Sequence, residues 1–244
     1  PITIDNLSRG NKELVKWGPL YIQDIRDYQN IKKIIDKHMP IGVIHLAAFS
    51  YVEESIRNPF MYYDNNVNGG ISLIRAIIES KVKNLVYSSS CSVYGIPDEI
   101  PIKEDCMLDP INPYGKTKLI IEQVLKDLSD GGDINHISLR YFNVAGADPE
   151  METGEMHFPE THLIPLAIRA CLNNSSPLII NGTDYSTNDG TCIRDYIHVS
   201  DLAKAHVIAL EKLLLKEKYK PMNINLGTGD GYSVFEIIRA IENL

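Results

Sequence analysis

Short apolar runs alternate with longer stretches of helical periodicity along this chain, and no other feature restricts the fold as much. The runs are PITID (1–5), LYIQD (20–24), GVIHLAA (42–48), NLVYSSS (84–90), HISLRYFN (136–143) and MNINLG (222–227). They are rich in Ile, Val, Leu and Tyr and mostly lack in/out alternation, the pattern of parallel strands buried on both faces. Between them, residues 26–38 put Ile31, Ile34 and Ile35 on one side. Residues 60–80 carry Val67, Ile71, Ile74 and Ile78 at steps of three and four. Residues 113–130 carry Ile120, Ile121, Val124, Leu125 and Leu128 and run into Gly131-Gly132. Such alternation implies right-handed βαβ units. The expected architecture is therefore α/β, a doubly wound parallel sheet of Rossmann type, which binds ligands at the carboxyl ends of its strands.

The texture changes near residue 144. Residues 144–162 read as loop, followed by a helix (163–172), a short strand (177–180), the loop NGTDYSTNDGTCIRD, a helix (200–215) and the last strand. The expected division is a dinucleotide-binding domain of residues 1–143 and 196–227, with a small inserted substrate lobe of residues 144–195 and 228–244. PITID starts inside an apolar run and SVFEIIRAIENL stops in mid-helix, so the sequence reads as an internal piece of a longer protein. The first strand and its glycine loop would lie upstream of Pro1.

A net charge of −8 argues against unspecific nucleic-acid binding. No apolar run approaches a membrane span. None of the four cysteines, Cys91, Cys106, Cys171 and Cys192, forms a C-x-x-C pair, so they read as free thiols of a cytoplasmic protein. Cys192, His198 and His206 lack the paired spacing of a zinc site, and no metal is expected.

Four features carry chemistry. Asp5 ends the first strand, where an acid can accept hydrogen bonds from an adenosine ribose and favour NAD over NADP, although on Asp5 alone an Asx turn or N-cap is the better explanation. The later glycine turn, GTGDG (227–231), has the spacing G-x-G-x-G and reads as structural. SSSCSVYG (88–95) ends a strand in hydroxyls at the ligand edge, without the G-x-S-x-G of a hydrolase elbow. Tyr114 and Lys118 stand four apart at the start of a helix and share one face. A fixed ammonium near a phenol favours the phenolate, which would make Tyr114 a base. Arg194, in DGTCIRDYIHVSD (189–201), could clamp a phosphate with its planar fork or pair with Asp195.

These stretches together resemble the UDP-glucose 4-epimerases of the extended short-chain dehydrogenase/reductases. The likeness is carried by DNL (5–7), DI (24–25), HLAAFSYVEES (45–55), YYDNNVNG (62–69), SSSCSVYG, PYGKTK (113–118), RYFNVAGADP (140–149), ETHLIP (160–165), GTDYSTNDGTCIRDYIHVSDLA (182–203) and NLGTGDGYSV (225–234). It covers essentially the whole chain. It implies an isomerase that interconverts UDP-galactose and UDP-glucose by transient NAD-dependent oxidation at sugar C4. Tyr114 would be the base, with Ser90 and Lys118 beside it. Asp5, Asn6, Ser8, Asp24, Ile25, Leu46, Ala47, Ala48, Ser50, Asn65, Lys118 and Phe142 would hold NAD. Ser90, Asn143, His162, Leu163, Ile179, Asn181 and Arg194 would hold the UDP-sugar. Ser50 departs from a position that is lysine in many members, and Asn181 from one that is aromatic in some.

Rival readings are an epimerase of UDP-xylose and UDP-arabinose or of UDP-N-acetylglucosamine, a sugar-nucleotide 4,6-dehydratase, and a non-catalytic dinucleotide-binding module. The dehydratase needs an Asp-Glu pair after the strand hydroxyl, where this chain has Cys91, Ser92 and Val93. The non-catalytic module would typically have lost Tyr114 or Lys118. The resemblance also implies a homodimer built on the helices at 60–80 and 113–130.

Overall fold

The computed structural model describes residues 1–173, 177–215 and 222–244. In chain order these form β1 (Thr3–Asp5), β2 (Leu20–Ile22), α1 (Tyr28–His38), β3 (Val43–His45), α2 (Val52–Arg57), α3 (Pro59–Tyr62), a π-helical turn (Tyr63–Asn68), α4 (Gly69–Glu79), β4 (Asn84–Ser88), α5 (Pro113–Asp130) and β5 (Asn135–Tyr141). They continue with β6 (Asn143–Ala145), α6 (Leu163–Asn173), β7 (Ile193–Arg194), β8 (Tyr196–His198), α7 (Val199–Leu214), β9 (Met222–Leu226), β10 (Tyr232–Ser233) and α8 (Val234–Glu242). The chain divides into one unit of Pro1–Tyr141 and Ala203–Leu226 and a second of Phe142–Leu202 and Gly227–Leu244.

The first unit holds a four-stranded sheet of order β3-β4-β5-β9, parallel throughout, and a parallel pair β1-β2. One core joins Ile31 and Ile35 of α1, Leu73, Ile74 and Ile77 of α4, and Ile121 and Leu125 of α5 to Leu85 and Tyr87 of β4. A second core sets Ala209 and Leu213 of α7 against Val86, Ile137 and Leu139. Side chains of β4 are thus buried on both faces, which is why its sequence shows no alternation. Each fully buried Leu or Ile contributes roughly 1.5–3 kcal/mol.

Between the β1-β2 pair and the larger sheet lies a cavity of about 870 Å³. Its walls are largely apolar, with Ile4, Ile31, Ile35, Val43, Ile44 and Leu73 among them, and Asp5, Asn6 and Ser8 also line it.

The second unit is built from two short pairings, β6 with β8 in parallel and β7 with β10 antiparallel. Helices α6 and α8 pack together in it. A capping box starts α8: Ser233 accepts from the Glu236 N–H and Glu236 accepts from the Ser233 N–H.

Three expectations are corrected. The helix expected over 60–80 is α3 and α4 joined by the π-helical turn. There the Asn66 side chain donates to Phe49 O at 2.9 Å and to Thr117 Oγ1 at 3.1 Å, contacts that compete with a regular α repeat. The run 136–143 is broken at Phe142, because β5 pairs with β9 and β6 with β8. Residues 177–180 form no strand; they have no pairing partner among the described residues, and Ile179 is exposed. Pattern alone cannot supply the neighbour a strand needs.

Two buried imidazoles make this fold sensitive to acid. His45 and His136 are 4% and 2% exposed, and neither Nδ1 makes a hydrogen bond. Burial, with Lys118 adding to it, lowers His45 to about 3, and burial lowers His136 to about 4. The unfolded chain therefore binds more protons as pH falls below about 6.5, and stability present at pH 7 is lost downward through that window. At pH 5 each imidazole should have cost about 2 kcal/mol. The melting temperature is expected to drop clearly between pH 7.5 and 5, and less in His136→Gln. A flat profile in the unsubstituted protein would refute this account.

Candidate active site

Strand β4 ends at Ser88, and the chain turns through Ser89 and Ser90 into one 3₁₀ turn, Cys91–Val93. Ser90 caps that turn, its Oγ accepting from Ser92 N at 3.2 Å. Helix α5 begins beside it. The Asn112 side chain accepts from Gly115 N at 2.8 Å, and Pro113 occupies the first helical position, where its missing N–H costs nothing. Gly115 allows the close approach: a Cβ there would lie 2.5 Å from Ser92 O. Tyr114 N donates to Ser55 Oγ at 3.2 Å, so α2, which sequence reasoning missed, anchors the residue. These contacts set a buried Tyr114 beside Ser90 at the carboxyl end of a parallel strand.

One turn further along α5, Lys118 is 3% exposed. Its Nζ donates to Ser88 O at 2.6 Å and lies 5.2 Å from the Tyr87 ring centroid and 5.8 Å from that of Tyr114. Burial lowers the ammonium to about 8, with Glu122 acting the other way. Burial raises the Tyr114 phenol above its ordinary range, Tyr141 adds to this, and the Ser90 hydroxyl opposes it. Among the protein's own groups desolvation outweighs the ammonium, which is hydrogen-bonded to a carbonyl and not to the phenol.

Behind this pair lies a buried ion pair. Arg140 of β5 donates through Nε and Nη2 to the two carboxylate oxygens of Glu122 at 3.0 and 2.6 Å, and through Nη1 to Tyr94 Oη at 2.8 Å. The Ser89 hydroxyl donates to Glu122 as well. Side-chain exposure is 1% for Arg140 and 3% for Glu122.

Several residues expected at the dinucleotide gather around the cavity. Asp5, Asn6, Ser8, Ile25, Leu46, Ala47, Ala48 and Asn65 all line it. Asp5 Oδ1 accepts from Leu7 N at 2.6 Å, and a Cβ on Gly10 would stand 2.8 Å from it, so Gly10 keeps that carboxylate clear. Asn65 is buried and donates to Asn66 Oδ1 at 3.0 Å. Asp24 is held by Arg26 at 2.7 Å and by Asn6 at 3.0 Å. Ser50 is exposed and, like Asp24, is not part of the cavity wall.

The remaining candidates belong to the second unit. Phe142 packs at Gly227, and Asn143 N donates to Asp195 O at 3.0 Å. Leu163 opens α6, and Ile179 and Asn181 are exposed on irregular chain. Arg194 is exposed, with no acidic partner among the described residues. Asp195 instead accepts from Thr228 N and Gly229 N, both at 2.9 Å, so these N–H groups of the glycine turn are engaged within the protein. His162 falls in a group that sequence reasoning missed, Glu155, His157, Glu160 and His162. The signal was the spacing E-x-H-x-x-E-x-H, which matches neither a helical nor a strand period.

Known proteins resemble this chain over its length. The family model described as "NAD dependent epimerase/dehydratase family" matches residues 2–227. A curated UDP-glucose 4-epimerase of Rhizobium meliloti (strain 1021) is 48% identical over 244 residues, all of this chain and 74% of that protein. The crystal structure of UDP-glucose 4-epimerase from Brucella ovis in complex with NAD superposes with a TM-score of 0.95 at 48% identity, covering 100% of this chain and 74% of that one. The enzyme from Bifidobacterium longum in complex with NAD⁺ and UDP has a TM-score of 0.92 at 35% identity, covering 99% and 75%.

The Glu122–Arg140 pair gives a test of what holds α5 in register. Glu122→Leu strands a buried guanidinium and should cost about 3–5 kcal/mol. Replacing both partners, Glu122→Leu with Arg140→Met, should recover most of that loss. Urea unfolding of the two variants decides; a loss below about 1 kcal/mol in the single variant would contradict the role given to the pair.

Proposed function

We propose that this chain, which belongs to the NAD dependent epimerase/dehydratase family, is a UDP-glucose 4-epimerase that interconverts UDP-galactose and UDP-glucose by transient oxidation at sugar C4. The observation that carries the reading is the buried Ser90, Tyr114 and Lys118 set at the end of β4. Arrangement and chemistry agree: a base, a hydroxyl to orient the reacting oxygen and a cation, all withdrawn from water.

The residues around the cavity fit a dinucleotide. Asp5, Asn6 and Ser8 would hold the adenosine ribose, and Asp24 and Ile25 the adenine. Leu46, Ala47, Ala48 and Ser50 would follow the pyrophosphate and ribose, and Asn65, Phe142 and Lys118 the nicotinamide end. Bound NAD supplies the reversible redox capacity at C4. Tyr114 takes the proton from the 4-hydroxyl and later returns it, and Ser90 hydrogen-bonds the same oxygen. The charge on Lys118 favours the phenolate form of Tyr114. Asn143, His162, Leu163 and Arg194 would hold the UDP, with Arg194 on phosphate and Ile179 and Asn181 at the uracil. The Arg194 guanidinium, exposed and without an acidic partner among the described residues, supports its part.

A homodimer and a cytoplasmic location belong to the same proposal. Phe60 of α3 and Ile71 of α4 expose apolar surface suited to a second copy. None of the four cysteines is in a disulfide. No helix of the described residues is long and apolar enough to cross a membrane.

Protein purified without added NAD and given UDP-galactose should form UDP-glucose, followed by chromatography. Tyr114→Phe should lower kcat by about 10²–10⁴-fold. Turnover of UDP-N-acetylglucosamine or UDP-arabinose with UDP-galactose untouched would keep the chemistry and overturn the substrate. Undiminished activity in Tyr114→Phe would remove the base assignment.

The Lys118 shift adds a pH dependence. Its ammonium, at about 8, loses its proton as pH rises through that value, and with it the charge that favours the phenolate. We expect kcat to fall on the alkaline side from near pH 8. A kcat still rising at pH 10 would show that Tyr114 acts without the cation.

A further inference from the structure

We propose that Glu155, His157, Glu160 and His162 form a structural zinc site in the second unit. One ligand atom from each of the four lies within 4.8 Å of all the others. His162 Nδ1 stands 2.7 Å from Glu155 Oε1 and 2.9 Å from Glu160 Oε1, and His157 Nδ1 stands 3.3 Å from Glu155 Oε1 and 3.9 Å from Glu160 Oε2. Ligands about 2.0–2.2 Å from a tetrahedral Zn²⁺ stand about 3.3–3.6 Å apart, so shifts of under about 1 Å would seat the ion.

A second observation separates this group from an ordinary acidic patch. The Glu160 side chain is 1% exposed. Its Oε1 accepts from Thr161 N at 2.8 Å and from His162 N at 2.9 Å, which fixes the carboxylate. Its Oε2 is buried, faces His157 and accepts no hydrogen bond. A buried carboxylate oxygen without a hydrogen bond is costly. A dication on Oε2 removes that cost, while the amides on Oε1 act as the outer contacts that orient a metal-bound carboxylate.

Charge and ligand type name the ion. Two carboxylates carry −2 and two neutral imidazoles add no charge, which a dication balances. Mixed imidazole and carboxylate donors in a compact four-ligand set suit Zn²⁺ better than Mg²⁺ or Ca²⁺, which take six or more oxygens. All four tetrahedral positions come from the protein, as in structural and not catalytic zinc sites. The ion would clasp the loop of residues 155–162 to the start of α6.

The site is tested apart from catalysis, with the metal alone as probe. Apoprotein prepared with a chelator is titrated with Zn²⁺, the ion retained after gel filtration is counted by mass spectrometry, and Co²⁺ is added in parallel. The expected result is one Zn²⁺ per chain, the strong visible bands of tetrahedral Co²⁺, and a rise in melting temperature on adding Zn²⁺. His157→Ala and Glu160→Gln should each weaken binding by at least about 10–100-fold and abolish the Co²⁺ bands. Should either variant unfold, Glu155→Gln serves as a milder third. Substoichiometric Zn²⁺, an octahedral Co²⁺ spectrum, or equal binding by the folded variants would overturn the site and leave the four side chains as a hydrogen-bonded His–Glu cluster. UDP-galactose turnover by chelated protein is read separately, so failure of the zinc site and failure of the epimerase reading give different results.

Discussion

The buried pairing of Arg140 with Glu122 fixes the relation between sheet and helix on which the candidate site rests. Arg140 projects from β5 and Glu122 from α5, one turn beyond Lys118, and the bidentate contact allows the helix little sliding. Two further donations from the guanidinium, to Tyr94 Oη and Glu104 O, tie in the loop that follows Ser90. The Ser89 hydroxyl, on Glu122, ties in the end of β4. Removing two charges from water costs several kcal/mol each, and only a nearly complete set of partners offsets it. The arrangement contributes register more than stability: α5 cannot shift by a residue without leaving Arg140 unpaired.

That register has an electrostatic consequence for the residues one and two turns earlier. Tyr114 and Lys118 are both held in a dry environment, and drying opposes charge on each: the phenol is raised and the ammonium lowered. Burial therefore favours neutral Tyr with neutral Lys over phenolate with ammonium, two states that lie close in energy in water. Added positive charge near the phenol, or a hydroxyl that gives it a proton to take, shifts the balance. Glu122 counters part of the Lys118 shift and keeps more of the ammonium charged. The network that positions the helix therefore also tunes the cation on it.

The sequence announced the parts whose causes are local. Asn112-Pro113 and Gly131 mark both ends of α5 because cap and breaker act within a few residues. The central strands were legible because burial on both faces leaves an apolar run. What escaped depends on distant partners. The π-helical turn exists because Asn66 reaches Phe49 and Thr117, and no local period encodes that. The two- and three-residue strands β6, β7, β8 and β10 exist only by pairing. In the site, Tyr114 and Lys118 could be named from their spacing and the serines 88–90 from their strand position, while the choice of Ser90 among them rests on the family resemblance. Their protonation could not, because burial decides it. Ser55, which receives the Tyr114 N–H, sits in a helix that no strong apolar stripe announced.

The two units divide the physical tasks. In the first, the candidate acid–base groups sit on buried elements, with Lys118 Nζ held by Ser88 O and Tyr114 N by Ser55 Oγ, so little ordering cost remains when chemistry occurs. In the second, Arg194, Asn181 and Ile179 are exposed, and the Arg194 guanidinium donates to its neighbour's carbonyl at 2.8 Å. Exposed groups of that kind can recognise an anion or a flat ring, but each loses rotamer freedom on contact, about 0.5–1.5 kcal/mol per side chain. Affinity built this way is readily changed by substitution, whereas the buried set tolerates little. A loop clasped at residues 155–162 would lower part of that ordering cost beforehand, because His162 and Leu163 would already be fixed where α6 begins. The metal cluster and the recognition residues would then act as one design, in which a rigid entry to α6 compensates for exposed side chains elsewhere in the lobe.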